Sequence, residues 1–170
     1  MKLKIRKYKK IYALDICKLF YYSINSIDPN IYTEKQKNAW CSTTPDKDKW
    51  HKRLKDNITW VALKDDKVVG FLELEDNGYI NCLFVHPEFQ ANGIASKLYE
   101  SMLLWVQKKN LKVIETDASE VAMPIFKKWG FNITEKKFIK RGAEILTNYN
   151  MRKNMETFAR TNAQKFVKMI

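Results

Sequence analysis

The loop QANGIA at residues 90–95 carries the clearest chemistry in this 170-residue chain. Gly93 lets the backbone approach a ligand closely and adopts dihedrals that other residues resist. Behind it, Ile94, Leu98, Met102 and Val106 recur at helical spacing, with Ala95 and Leu103 widening the stripe. A helix opening here aims its unpaired N–H groups, and the positive end of its dipole, at whatever lies before residues 90–95. That makes an anion site. The stretch YINCLFVHPEF just upstream reads as a strand ending at Pro87, so strand, loop and helix follow in the order such a site needs. A tight strand-to-helix turn without a ligand would use the same glycine, so the loop alone does not decide.

A second group of chemical side chains lies earlier. The run Glu75-Asp76-Asn77-Gly78-Tyr79 suits a three-residue hairpin, a type I turn followed by a left-handed glycine. That register sets Glu75 opposite Tyr79 and Glu73 opposite Asn81, and places all four side chains on one sheet face. A two-residue turn at Asn77-Gly78 would reverse the assignment. Either carboxylate could accept a proton from a substrate, and either could equally be an exposed edge charge.

These groups need a scaffold. Residues 3–8 read as a first strand and residues 15–23 as a first helix through Ile16, Leu19 and Phe20. Thr33 with Gln36 forms a capping-box pattern for a short helix through Trp40. Thr44 and Pro45 repeat the start signal for a helix reaching about Leu54. Strands follow at 59–64, 67–75 and 79–85, then the helix behind Gly93, a strand at 113–117, a helix over about 121–129, and strands near 133–140 and 144–151. Strands and helices alternating around one mixed sheet give an α/β or α+β sandwich. Residues 154–170 carry Ala159, Ala163, Phe166 and Ile170 at helical spacing, which reads as a helical extension or a homodimer contact.

Composition bounds the alternatives. A chain of 170 residues, 45% of them hydrophobic, is expected to form one domain with its own core. Its mean hydropathy of −0.46 is that of an ordinary soluble protein. No apolar run approaches the roughly 20 residues of a membrane span. The basic start MKLKIRKYKK lacks the apolar core and cleavage site of a secretory signal. Cys17, Cys41 and Cys82 share no metal or disulfide spacing, and the two histidines, His51 and His86, are far apart. A cytoplasmic protein without a metal site is the expectation. The net charge is +12, with six Lys or Arg in the first ten residues. Nucleic acid could take such a charge, but no helix-turn-helix, RNA-binding aromatic signature or zinc finger accompanies it. A Lys-rich solvated surface is the simpler reading, and part of the field would steer an anionic ligand.

Three motifs in this order point to one family. Residues 90–95 fit Q/R-x-x-G-x-G/A, the preceding strand ends in LFVHPEF, and ETDASEVAMPIFKKWGF downstream is a strand and helix closing in a Gly-Phe turn. Together they resemble the GNAT N-acetyltransferases over roughly residues 4–153, with residues 154–170 as an extension. The segments YTEKQKNAW and ELEDNGYI further suggest a YafP-like bacterial branch. The resemblance implies a mixed, mostly antiparallel sheet, splayed at the cofactor strand and flanked by helices on both faces. It implies direct acetyl transfer from acetyl-coenzyme A to an amine.

On this resemblance the main-chain amides of Gln90, Ala91, Asn92, Gly93, Ile94, Ala95 and Ser96 hold the pyrophosphate, with Lys97 as a further donor. Phe84 and Val85 pair with the pantetheine arm. Ser119 stands where relatives place a residue near the cofactor, and would equally serve as a helix cap. Relatives that use a strand carboxylate as base carry it near the position of Tyr79, so Glu73 is the first candidate base and Glu75 the second. Many relatives place a tyrosine general acid four residues before the Gly-Phe turn, close to the cofactor. Here that position is Phe126, which cannot donate a proton, and Tyr79 or Tyr149 could substitute. Cys82, by strand alternation, should point away from the carboxylate face. Tyr32, Gln36 and Trp40, at one-turn spacing, and Asn81 are the expected acceptor contacts. The surface, rich in Lys and not in Asp or Glu, gives no special pull for a polycationic acceptor, so a small neutral or acidic amine fits better. The alternatives are a protein lysine or N-terminus, or a non-catalytic module that binds acyl-coenzyme A.

Overall fold

The computed structural model describes residues 3–155. The helical pattern proposed for the tail beyond residue 155 lies outside the described residues. The elements, in chain order, are β1 (Leu3–Lys7), α1 (Ala13–Asn25), α2 (Glu34–Cys41), α3 (Lys47–Asp56), β2 (Ile58–Lys64), β3 (Lys67–Leu74), β4 (Tyr79–Val85), α4 (Ile94–Lys108), β5 (Val113–Ser119), α5 (Met123–Lys128), β6 (Asn132–Arg141) and β7 (Glu144–Asn154). The seven strands form one sheet in the order β1-β2-β3-β4-β5-β7-β6. Every pairing is antiparallel except β4 with β5.

Two apolar layers cover the sheet. On one face Ile94, Leu98, Met102 and Val106 of α4 pack with Leu72, Leu74, Ile80 and Ile114 from the strands. On the other, Ile16 and Leu19 of α1 and Leu54 of α3 pack with Val61, Leu63 and Phe71. The helical spacing read behind Gly93 is therefore the buried stripe of α4, as the period of 3.6 requires.

Local starts and stops mostly follow the sequence signals. Thr33 Oγ1 accepts the Gln36 N–H at 3.2 Å and Gln36 Oε1 accepts the Thr33 N–H at 3.0 Å, a complete capping box for α2. For α3 the cap is Asp46, not Thr44: its carboxylate accepts the Lys49 N–H at 2.8 Å. An ionised cap also complements the positive helix end, which a threonine cannot do. β5 runs two residues further than its apolar core suggests because β7 pairs with it as far as Ser119 opposite Asn148. α5 is shorter than read, six residues beginning at Met123 with Pro124 in its first turn.

The β3–β4 hairpin has the expected turn. The Glu75 N–H donates to the Tyr79 carbonyl at 2.8 Å, the Gly78 N–H to the Glu75 carbonyl at 3.0 Å, and Gly78 takes φ +94°. Beyond the turn the expected register fails. Leu74 lies opposite Ile80, but Glu73 lies opposite Cys82, which leaves Asn81 as the extra residue of a bulge. A bulge turns two successive side chains to one face. Cys82 therefore joins Phe84 on the α1 and α3 side, against the alternation that should have turned it away.

Candidate functional site

The site begins where the sheet comes apart. Only two residue pairs join β4 to β5, Tyr79 with Glu115 and Ile80 with Thr116. After them β4 follows β3 as far as Val85 opposite Gly70, while β5 follows β7. The two strands part into a wedge with main-chain groups on its β4 side. Their direction follows from the ladder. The His86 N–H donates to Val69 at 2.9 Å, and in an antiparallel ladder residues two apart bond to the same neighbour. Phe84 and Cys82 therefore bond toward β3, while Leu83 and Val85 turn their N–H and C=O groups into the wedge. The Val85 carbonyl there accepts the Ser23 hydroxyl from α1 and the Gln90 side-chain amide, both at 3.3 Å.

At the mouth of the wedge lies the loop before α4. Ala91 and Gly93 take φ +59° and +74°, left-handed conformations that turn successive N–H groups inward. The Asn92 side chain holds the loop by donating to the Phe89 carbonyl at 3.2 Å and the Gln90 carbonyl at 2.9 Å. A Cβ built on Gly93 would meet nothing within 4 Å. Its glycine is thus required by backbone angle, and the space in front of it is open. Ala95 and Ser96 follow in the first turn of α4, both half-buried. Lys97 pairs with Glu100 at 3.0 Å.

The polar cluster sits at the closed end of the wedge. Glu75 accepts the Asn81 amide at 2.8 Å and the Asn77 amide at 3.4 Å, and is half-buried. Tyr79 lies beside Asp117 of β5. Burial, and then the Asp117 charge, push its phenol up to about 12. Asp117 also accepts the Asn150 amide at 2.9 Å and pairs with Lys137 at 3.3 Å. Glu75, Tyr79 and Asn81 are therefore together, with Asp117 added from across the wedge.

Glu73 is placed differently. It is fully buried, and Arg53 of α3 grips it twice, Nε to Oε1 at 3.0 Å and Nη2 to Oε2 at 2.8 Å. Asn57 adds a third donor at 2.7 Å. Its lone pairs are already committed. Cys82 lies beside the pair, Sγ 3.5 Å from Arg53 Nη2. Desolvation, reinforced by the Glu73 charge, pushes the thiol up to about 12. A raised thiol pKa contributes stability held below the ordinary range near 8.5 and lost as pH climbs toward 12. It also leaves almost no thiolate at pH 8. Iodoacetamide should therefore label Cys82 roughly two to three orders of magnitude more slowly than free cysteine, read by mass spectrometry. Labelling at the free-thiol rate would contradict this placement.

The remaining expected contacts divide. Tyr32 is buried, its hydroxyl accepting the Glu120 N–H at 3.1 Å and donating to the Thr147 carbonyl at 3.5 Å. Gln36 donates to the Ile145 carbonyl at 2.9 Å, fastening α2 to β7. Both hold the scaffold. Trp40 lines a cavity of about 420 Å³ with Phe20, Trp50, Arg53 and Arg141 among its walls. That cavity adjoins β4, since the Phe84 ring lies 4.8 Å from Phe20 and 6.5 Å from Trp40, centre to centre. Ser119 accepts the Ala122 N–H at 3.2 Å and so caps the turn before α5. Phe126 is buried in the aromatic cluster of Trp129 and Phe131.

Arg53, Asn57 and Asp117 were not among the residues expected from the sequence. Asp117 was within reach, because alternation along ETDASE puts it on the face of Glu115 and Ser119. Nothing local to α3 signals that Arg53 meets a carboxylate twenty positions away.

Known proteins share both sequence and fold with this chain. The profile of the acetyltransferase (GNAT) domain matches residues 29–155, and the chain belongs to that family of acyltransferases. It is 28% identical over 150 residues to the uncharacterized N-acetyltransferase YafP of Escherichia coli strain K12, covering 88% of this chain and 95% of that one. This supports a place in a YafP-like branch. The GCN5-related N-acetyltransferase of Rhodopseudomonas palustris superposes with a TM-score of 0.84 at 26% identity, over 91% of this chain and 96% of that one. The PaiA N-acetyltransferase of Thermoplasma acidophilum, solved with coenzyme A, shares the fold with a TM-score of 0.75 at 20% identity, over 91% and 99% of the two chains.

Proposed function

We propose that the protein transfers an acetyl group from acetyl-coenzyme A directly to the primary amine of a small molecule. The observation that carries this reading is the wedge between β4 and β5, with the left-handed loop before α4 at its mouth and an open cavity beside β4. The residues present fit the donor. Left-handed Ala91 and Gly93, with the first amides of α4, offer a cradle for a pyrophosphate. Leu83 and Val85 turn main-chain groups toward a pantetheine arm lying in the wedge as an added strand, the Val85 carbonyl exchanging its Ser23 and Gln90 side-chain donors for it. Phe84 contributes its ring, since its carbonyl lies over Gly70. Phe126 and Ser119 serve packing and capping.

Bound there, the donor supplies an acetyl thioester whose carbonyl carbon is the electrophile. An N–H in the wedge polarises the thioester oxygen, an interaction that strengthens as charge develops. An alkyl ammonium with a pKa near 10 must lose a proton before its nitrogen can bond that carbon. Glu75 takes that proton, because its partners Asn77 and Asn81 are exposed side chains that a substrate can displace. Glu73 instead positions Arg53. Tyr79, its pKa raised to about 12, keeps its proton at neutral pH and acts as a donor at the wedge. The leaving sulfur recovers a proton through solvent, which a thiol pKa near 8.5 permits.

The test is to incubate the protein with acetyl-coenzyme A and a panel of small amines, following free thiol. Amine-dependent thiol release with an N-acetylated product is expected. Tight donor binding without turnover on any amine would defeat the reading.

A further inference from the structure

The cavity beside Phe84 is asymmetric in charge, and that asymmetry bears on the acceptor. Its walls include three aromatic rings, Phe20, Trp40 and Trp50, and two guanidinium groups, Arg53 and Arg141. Among the described residues that line it, none is an Asp or a Glu. The rings supply aromatic surface on its walls, with Phe20 and Trp50 in contact at a centroid distance of 4.6 Å. Arg53 is fixed in place, its guanidinium carbon 4.2 Å from the centre of the Trp50 ring. Its Nε and Nη2 are spent on Glu73, while Nη1 has no hydrogen-bond partner among the described residues. The side chain is 40% exposed. Arg141, at the tip of the β6–β7 hairpin, is exposed on the same cavity.

The acidic groups lie at the other end. Glu75 and Asp117 flank the closed end of the wedge, past Cys82 and the Asn81 bulge. An amine entering the cavity alone would meet cations. A molecule with an ammonium at one end and an anion at the other would be oriented by both.

Resting on the acetyl-transfer reading, we infer that the acceptor is an amine that also carries a carboxylate and an apolar body. The carboxylate lies against Arg53 Nη1 and Arg141, the body between Trp40 and Trp50, and the amine toward Glu75. Arginine suits this role because its planar donors match carboxylate geometry and its charge persists at every working pH. The cavity volume of about 420 Å³ suits a molecule of amino-acid size.

The test titrates the intact protein with N-acetylphenylalanine and with its uncharged amide, following heat by isothermal titration calorimetry. Neither probe carries an amine, so binding is read without turnover. The carboxylate form should bind roughly tenfold or more tightly, the effect of one or two charge-assisted hydrogen bonds. Arg141→Gln, at an exposed hairpin position, should shrink that preference severalfold with unchanged circular dichroism. Equal binding of the two probes, no binding of either, or a preference untouched by Arg141→Gln would overturn the inference. Its failure is separable from that of the acetyl-transfer reading. Equal probe binding alongside turnover of neutral amines defeats the carboxylate alone, whereas no turnover on any amine defeats the transfer reading.

Discussion

Arg53→Ala should destabilise the fold by about 3 kcal/mol, because it strands the fully buried carboxylate of Glu73. That figure stands at the low end for a broken buried pair, since Asn57 still donates at 2.7 Å and Arg53 itself is partly in water. For a chain of this size the loss corresponds to a melting temperature lower by about 6–12 °C. Thermal and urea unfolding would measure it. Glu73→Leu added to Arg53→Ala should restore much of the loss, because an apolar side chain removes the stranded charge altogether. A single-variant loss below about 1 kcal/mol would show that the pair is not what holds α3 to the sheet.

The second large effect is kinetic. Glu75→Gln should lower kcat about a hundredfold at neutral pH, the ordinary contribution of a positioned general base. The deficit should shrink as pH approaches the amine pKa near 10, where the acceptor no longer needs a base. Glu73→Gln should lower turnover without changing the shape of the pH profile, since Glu73 acts through Arg53. A profile altered at Glu73 and unchanged at Glu75 would exchange their roles.

The strand, loop and helix proposed to hold the donor were legible because their determinants are local. Gly93, the apolar stripe of α4 and the strand before Pro87 are contiguous, and each states its own conformation through a left-handed angle, a period of 3.6 and a strand stop. The capping box of α2 and the turn at Gly78 were readable for the same reason. What failed was decided at a distance. The bulge at Asn81 comes from the pairing of two strands and has no signature in NCLF. It moved Cys82 onto the carboxylate face and set Glu73 opposite it. The Arg53–Glu73 pair is another product of tertiary packing, formed only once α3 lies across β3. Tyr32 and Gln36 were correctly placed on one stretch of chain, but their polar atoms are consumed by the Thr147 and Ile145 carbonyls of β7. Helical spacing gives a face and cannot say what that face meets.

On the proposed reading the loop and wedge hold the donor, and the central claim is that transfer from it is direct. Initial velocities measured while acetyl-coenzyme A and a turned-over amine are both varied test this most directly. Intersecting reciprocal plots are expected, because both substrates must be bound before the amine meets the thioester. Parallel lines, with an acetylated enzyme such as acetyl-Cys82 isolated in the absence of amine, would contradict it.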